Sequence, residues 1–220
     1  MIGFKLNNIS DNNLKILCIG AHCDDIEIGC GGTLLSILRE NIHTEIHWVV
    51  CSSGRRREKE ARSSAGLFLK QAEKKKIEIK NFRNGYFPYI GDKLKNYLEN
   101  IKTKTFPDLI FTHYRNDLHQ DHRIISELTW NTFRNHLILE YEIPKYDGDF
   151  GNPNCFVSIS ETIRNQKISN ILGSFKTQSD KHWFKKELFL SIMRIRGMEC
   201  CSETEYAEAF YCRKVLLGIL

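Results

Sequence analysis

The sequence predicts an α/β protein: a mostly parallel sheet flanked by helices on both faces. Two observations carry that expectation. Apolar runs that read as buried strands, such as residues 15–20 and 44–53, alternate with stretches of helical spacing, and the alternation repeats as far as Phe111. The chain also has 220 residues with 41% hydrophobic content, enough for one substantial core, so residues 1–220 are expected to form a single domain. It contains no internal repeat and no low-complexity tract.

The elements follow in order. Residues 1–13 mix Lys, Asn and Asp and hold no apolar core of signal-peptide length. Residues 15–20 form the first strand, and a glycine-rich turn at Gly29, Gly31 and Gly32 leads into a helix from about Gly32 to Glu40. Residues 44–53, with Ile46, Trp48, Val49 and Val50, fit a central strand. Arg55 to Arg62 opens the next helix, its mixed charges marking a solvated face, and Lys74-Lys75-Lys76 is expected in a polar connection. A short alternating strand over 76–82 leads to an Asn84-Gly85 turn. Leu94, Tyr97, Leu98 and Ile101 then recur at helical spacing within 92–102.

Residues 106–113 read as another strand and 123–137 as the helix after it. Beyond this come a strand at 137–143, a polar, glycine-containing stretch at 145–154 and a strand at 155–159. Ser160 suits a helix cap ahead of Ile163. From Lys181 onward the chain is helical in character, with Trp183, Phe184, Leu188, Phe189, Ile192 and Met193 assigned to the core.

Composition narrows the classes of function. No segment approaches a membrane span, and with no secretory signal a soluble, cytoplasmic protein is expected. Eight scattered cysteines in a chain this long favour reduced thiols, with Cys18 and Cys51 packed as small apolar residues. The net charge of +5 is modest, and no basic stretch interleaved with aromatics points to nucleic acid. Oligomeric state is left open, homo-oligomers included.

The chemistry gathers at two predicted strand ends, where open α/β sheets place their sites. The first carries Ala21-His22-Cys23-Asp24-Asp25-Ile26-Glu27 and the second Asn116-Asp117-Leu118-His119-Gln120-Asp121-His122. Imidazole nitrogen and carboxylate oxygen suit zinc, and a catalytic zinc takes three protein ligands and keeps a position for water. His22 and one of the two aspartates supply two ligands, and the other aspartate is free to take a proton. Either His119 or His122 supplies the third, leaving the other to act on substrate. A dinucleotide fingerprint fits poorly: the Gly-x-Gly-x-x-Gly spacing is absent, and Asp24, Asp25 and Glu27 repel a pyrophosphate. Glu27 is expected to cap the glycine turn or hold the loop through its amides, and Asp117 to shape the loop before His119. His43, His47, His113, His136 and His182 are read as structural, with His113 near enough to the second motif to line a pocket.

Together the two motifs resemble the LmbE/PIG-L family of zinc-dependent N-deacetylases, whose motifs are His-Pro-Asp-Asp with a following acidic residue and glycines, and His-Pro-Asp-His or a close relative. The resemblance implies a Rossmann-like fold, His22, Asp25 and His122 as metal ligands, Asp24 as general base and His119 as acid or oxyanion stabiliser. Asp121 then orients a histidine from behind. Arg57 and Glu60 fit the family's Arg-x-x-Glu, Asn84-Gly85 stands where many members have Asp-Gly, and Ala207-Glu208-Ala209-Phe210 resembles a carboxyl-terminal segment.

Arg57 and Asn84 are the expected substrate contacts, Arg57 because a guanidinium suits forked recognition of phosphate or carboxylate. Cys23 replaces the motif's proline and places a thiol beside the expected metal. The implied reaction is zinc-dependent removal of an N-acetyl group from an amino-sugar substrate, with Fe2+ or Co2+ sharing the same donors. A sugar or sugar conjugate is the implied partner, and a modestly basic chain attracts an anionic one such as a sugar nucleotide. The rival is a Rossmann-like nucleotide-binding protein or transferase without hydrolytic activity.

Overall fold

The computed structural model describes residues 13–40 and 43–216 together with Gly3. The amino-terminal stretch read for a signal peptide lies outside these residues apart from Gly3 and Asn13. Seven strands form one sheet in the order β3-β2-β1-β4-β5-β7-β6. These are β1 (Asn13–Gly20), β2 (His43–Val50), β3 (Lys74–Ile79), β4 (Leu109–His113), β5 (Leu137–Tyr141), β6 (Cys155–Ser158) and β7 (Ala207–Cys212). The first five are mutually parallel, while β7 runs antiparallel to both β5 and β6.

The helices are α1 (Asp25–Arg39), α2 (Arg55–Phe68), α3 (Gly91–Lys102), α4 (Gln120–Thr132), α5 (Glu161–Ser174) and α6 (Lys186–Glu199). Alternation along β1 sends Ile16 and Cys18 into one core with α1, α2, α5 and α6, and Leu17 and Ile19 into a second core with α3 and α4. This is the two-faced α/β architecture that the alternating pattern predicts.

The sheet order also fixes where a site can form. From β1 the chain moves outward through β2 to β3 and then returns to place β4 on the other side of β1. The connections therefore diverge at the carboxyl ends of β1 and β4, which opens the crevice where such sheets bind ligands. Both motifs follow those two strand ends.

Four sequence expectations need correction. The first helix begins at Asp25, seven residues before the expected Gly32, so the glycine-rich stretch is helix interior and not a turn. Its glycines serve close approach: a Cβ on Gly29 would lie 2.2 Å from the Tyr141 ring, and one on Gly32 would lie 2.8 Å from Glu208 Oε1. Lys74 to Lys76 belong to β3, which lies at the sheet edge where lysines discourage further pairing. The fourth helix starts at Gln120 and stops at Thr132, freeing Leu137 for β5. Finally, the carboxyl-terminal region contains β7 as well as a helix.

The β7 strand explains the family-like segment that it carries. The Glu208 carboxylate accepts hydrogen bonds from Gly32 N–H and Thr33 N–H, both at 2.7 Å, and from the Lys167 ammonium at 2.5 Å. Lys167 in turn donates to the Ile28 carbonyl at 2.6 Å. Mid-helix groups of α1 are thus held by a buried ion pair from α5 and β7, and α1 carries the first motif in its opening turn.

Candidate metal centre

The chain leaves β1 at Gly20, turns through residues 21–24 and enters α1 at Asp25. Asp24 occupies the cap position but makes no capping hydrogen bond, so its carboxylate is left for other work. Residues 24 and 25 have helical backbone and are not extended. Their side chains still diverge, because successive positions at a helix start do not face one another.

Three groups converge. His22 Nδ1 lies 3.1 Å from His122 Nε2 and 3.4 Å from Asp25 Oδ2, and His122 Nε2 lies 3.6 Å from Asp25 Oδ1. Ligand atoms about 2.0–2.1 Å from one tetrahedral ion lie about 3.3–3.4 Å from each other. The three distances lie near that spacing, the two to Asp25 being to different oxygens, which makes two imidazoles and this carboxylate candidates to hold one divalent cation. Two ring nitrogens facing at 3.1 Å cannot both carry a proton. Burial opposes charge on both rings, but Asp25, Asp121 and Asp24 outweigh it at His22 and raise its pKa to about 10. At His122 burial and the His113 imidazole prevail, and the pKa falls to about 3. Asp25 is buried as well, yet His122, His113 and His22 hold its carboxyl well below the usual range.

Each ligand candidate is held from behind. Asp121 Oδ2 lies 3.3 Å from His22 Nε2, and the Asp121 carboxylate also accepts from Gly85 N–H at 2.6 Å and Phe87 N–H at 3.1 Å. The histidine that Asp121 orients is thus the one from the other motif. Asp117 does more than shape its loop: Oδ2 lies 3.0 Å from His122 Nδ1 and 3.0 Å from the Lys145 ammonium, while Oδ1 accepts from His119 N–H at 2.8 Å. Such carboxylates fix the tautomer and aim of a ligand ring. Residue type and spacing gave no cue to this pairing, because it requires the loop after β4 to fold back on the first turn of α4.

Two other histidines lie close. His119, His22 and His122 have ring nitrogens within 4.8 Å of one another, as do His113 and His122 with an Asp25 oxygen. His113 Nε2 lies 2.9 Å from Ala21 N and 3.1 Å from Asp25 Oδ2, and the ring is fully buried, stacked 4.0 Å from His122. It packs behind the centre and does not line the cleft. His119 caps α4: its Nδ1 accepts from Asp121 N–H at 3.2 Å, which puts the proton of the neutral ring on Nε2. Burial and the nearby His22 lower its pKa and keep it neutral.

The second aspartate is held by one oxygen only. Asp24 Oδ1 accepts from Arg57 Nη2 at 2.9 Å, whereas its buried Oδ2 has no hydrogen-bond partner among the described residues. Burial raises the Asp24 pKa and Arg57 restrains the rise. Arg57 therefore engages Asp24 while also lining the cleft.

Two expectations are overturned here. Cys23 is fully buried with Sγ 3.5 Å from the Ser52 carbonyl and its pKa pushed up to about 12 by burial, so the thiol faces away from the donors. Glu27 neither caps nor braces a loop: it is fully buried in α1 with the Ser64 hydroxyl beside it, and neither oxygen has a partner within 3.5 Å among the described residues.

Above this floor opens a cleft of about 380 Å³. Its walls include Asn84, Lys145, Tyr146, Gln178, Lys181 and Trp183. Asn84 is exposed beside Gly85, whose φ of 76° suits glycine in the turn.

Fold and site together define an α/β protein with a His-Asp metal-type centre at its topological switch point. A model of the PIG-L family, described as GlcNAc-PI de-N-acetylase, matches residues 17–133, more than half of the chain, and the chain belongs to that family. Solved structures share the fold. The conserved protein TT1542 of Thermus thermophilus aligns with TM-score 0.70 and 22% identity over 94% of this chain and 97% of that one. The N,N'-diacetylchitobiose deacetylase of Pyrococcus horikoshii gives TM-score 0.67 and 22% identity over 95% and 87%. GalB, the 4-carboxy-2-hydroxymuconate hydratase of Pseudomonas putida KT2440, gives TM-score 0.73 and 15% identity over 94% and 99%. One fold thus carries a hydratase as well as a deacetylase, and the reaction must be argued from the site.

Proposed function

We propose that the protein is a divalent-metal-dependent hydrolase that removes the N-acetyl group from an amino sugar or a conjugate of one. The observation that carries this reading is the convergence of His22, Asp25 and His122 within 3.1–3.6 Å, beside an Asp24 carboxylate with one oxygen held by Arg57 and the other unpartnered among the described residues. Membership of a family described as a de-N-acetylase supports it. Zn2+ is the ion that this donor set suits best, with Fe2+ and Co2+ compatible. When bound, the cation supplies Lewis acidity, which makes a water more acidic and polarises the acyl oxygen.

The chain's own groups do the rest. Asp24 Oδ2 accepts the proton of the attacking water, and burial strengthens it as a base while Arg57 fixes its aim. Neutral His119 offers Nε2–H to the acyl oxygen as that atom gains negative charge. The leaving amine takes a proton from Asp24 or His119. Asp121 and Asp117 keep His22 and His122 in place throughout. Arg57 and Asn84 remain the proposed substrate contacts, since both line the cleft.

The nucleotide-binding rival has less support. Gly29 and Gly32 sit inside α1 against Tyr141 and Glu208, leaving no free glycine loop there to cradle a pyrophosphate. The test is acetate release from N-acetylglucosamine and its glycosides by chelated and metal-restored protein. Activity should vanish on chelation and return with Zn2+ or Co2+. Undiminished turnover in metal-free protein would refute the proposal.

A further inference from the structure

We propose that Glu60 is a positioning residue that governs how the sugar fits, because it fixes the cleft wall formed by residues 176–183. The assignment rests on the hydrolase reading above. Arg57 and Glu60 are three residues apart on α2 and so share a side of the helix. Arg57 reaches inward to Asp24 at 2.9 Å. Glu60 reaches the other way: Oε1 accepts from Thr177 N–H at 3.0 Å and Oε2 from the Thr177 hydroxyl at 2.5 Å.

Thr177 lies in a single 3-10 turn, Lys176–Gln178, after which the chain is irregular until α6. The Gln178 amide donates to Thr177 Oγ1 at 3.1 Å, and Gln178, Lys181 and Trp183 all line the cleft above His22, Asp24 and His119. Among the described residues, every other hydrogen bond of this wall stays within residues 172–185. Apolar packing secures its ends, where Phe175 and Phe184 are buried and Trp183 rests against the core, while buried Gln178 and its neighbours in the middle meet α2 through hydrogen bonds to Glu60. The carboxylate of Glu60 is therefore the tie that sets the height and angle of that middle. What the wall presents is an amide, an ammonium group and an indole. This combination suits a hydroxylated ring, with the indole against its C–H face and the amide and ammonium reaching hydroxyls.

One turn of α2 thus carries two ties: Arg57 holds Asp24 at the cleft floor and Glu60 holds the wall. The test combines steady-state kinetics with N-acetyl-D-glucosamine as probe and amide hydrogen exchange of residues 176–183. A hydrogen-bond pair to a charged group is removed in Glu60→Ala, so KM should rise about tenfold or more with kcat within about threefold of wild type. Exchange in the wall should quicken while that of α1 does not. Glu60→Gln, which keeps an acceptor, should recover most of the loss. Thr177→Val cuts part of the same tie from the wall side and should raise KM in the same direction, even where the α2 variant fails to fold. Arg57→Met should differ in kind, lowering kcat by freeing Asp24 whatever its cleft contact adds to KM, with wall exchange unaltered. Unaltered KM and unaltered exchange in both tie variants would overturn the proposal, as would a loss confined to kcat. If wild-type protein releases no acetate from the probe, the hydrolase reading fails separately, and unaltered wall exchange would still refute the role of Glu60.

Discussion

In the floor of the cleft, His22 and His122 face one another at 3.1 Å, and each has a carboxylate on its far nitrogen. In the wall, Tyr146, Asp147 and Lys181 stand exposed, and among the described residues the hydrogen bonds that reach residues 176–183 from outside 172–185 come from Glu60. The difference teaches where precision is needed. Groups that meet a cation and a reacting water must hold within a fraction of an ångström, and only locked rotamers and buried partners achieve that. A wall that recognises a ring can change its side chains without disturbing the reaction. If this division holds, changes in the floor alter metal binding or turnover, and changes in the wall alter KM.

The largest expected effects lie in the floor. Asp24→Asn should keep its metal yet lose about 10²–10⁴ in kcat, the usual worth of a positioned base. His122→Ala should lose the metal itself. Metal analysis beside acetate release separates the two, and an Asp24→Asn protein with wild-type turnover would break the comparison at once. Asp121→Asn and Asp117→Asn should each weaken metal affinity by about 10–100-fold, as loss of an orienting partner does, measurable by competition with a chelator.

Smaller effects belong to the wall. Lys181→Ala should change KM several-fold at most, in the way an exposed contact behaves, with full metal content. A metal-depleted Lys181→Ala would mean that wall and floor are not separate.

Glu27 gives a test of stability alone. Burial raises its pKa well above the ordinary value. An acid whose folded pKa exceeds its unfolded value binds more protons when folded. Its burial is therefore tolerated below about pH 4.3, the unfolded value, and costs stability as pH rises from there toward the folded pKa. Glu27→Gln should accordingly match wild type in thermal unfolding near pH 4 and exceed it by a few degrees at neutral pH. Equal unfolding temperatures at both values would show that the carboxylate has a partner when charged.

Much of the floor was legible in the sequence. Two short motifs, nearly a hundred residues apart, each carry ligand chemistry after a strand-like run, and parallel pairing of β1 with β4 brings them together. Asp117 and His113 escaped because their roles depend on how the chain folds back, not on spacing. The early start of α1 escaped because glycines weaken helix propensity. Here tertiary packing required them: Tyr141, Phe68 and Glu208 all approach too closely for a Cβ. Strand β7 was hidden since Ala207-Glu208-Ala209 suits helix as well as strand, and only its partners β5 and β6 decide. The wall left the faintest trace, because an irregular segment placed by one distant carboxylate has no periodicity to read.

The most direct test of the whole account is an anomalous diffraction map of protein crystallised with Zn2+. A single strong peak is expected about 2.0–2.2 Å from His22 Nδ1, an Asp25 oxygen and His122 Nε2, with Asp24 outside its ligands. A peak held instead by His22, His119 and His122, or no peak between the two motifs at all, would contradict it.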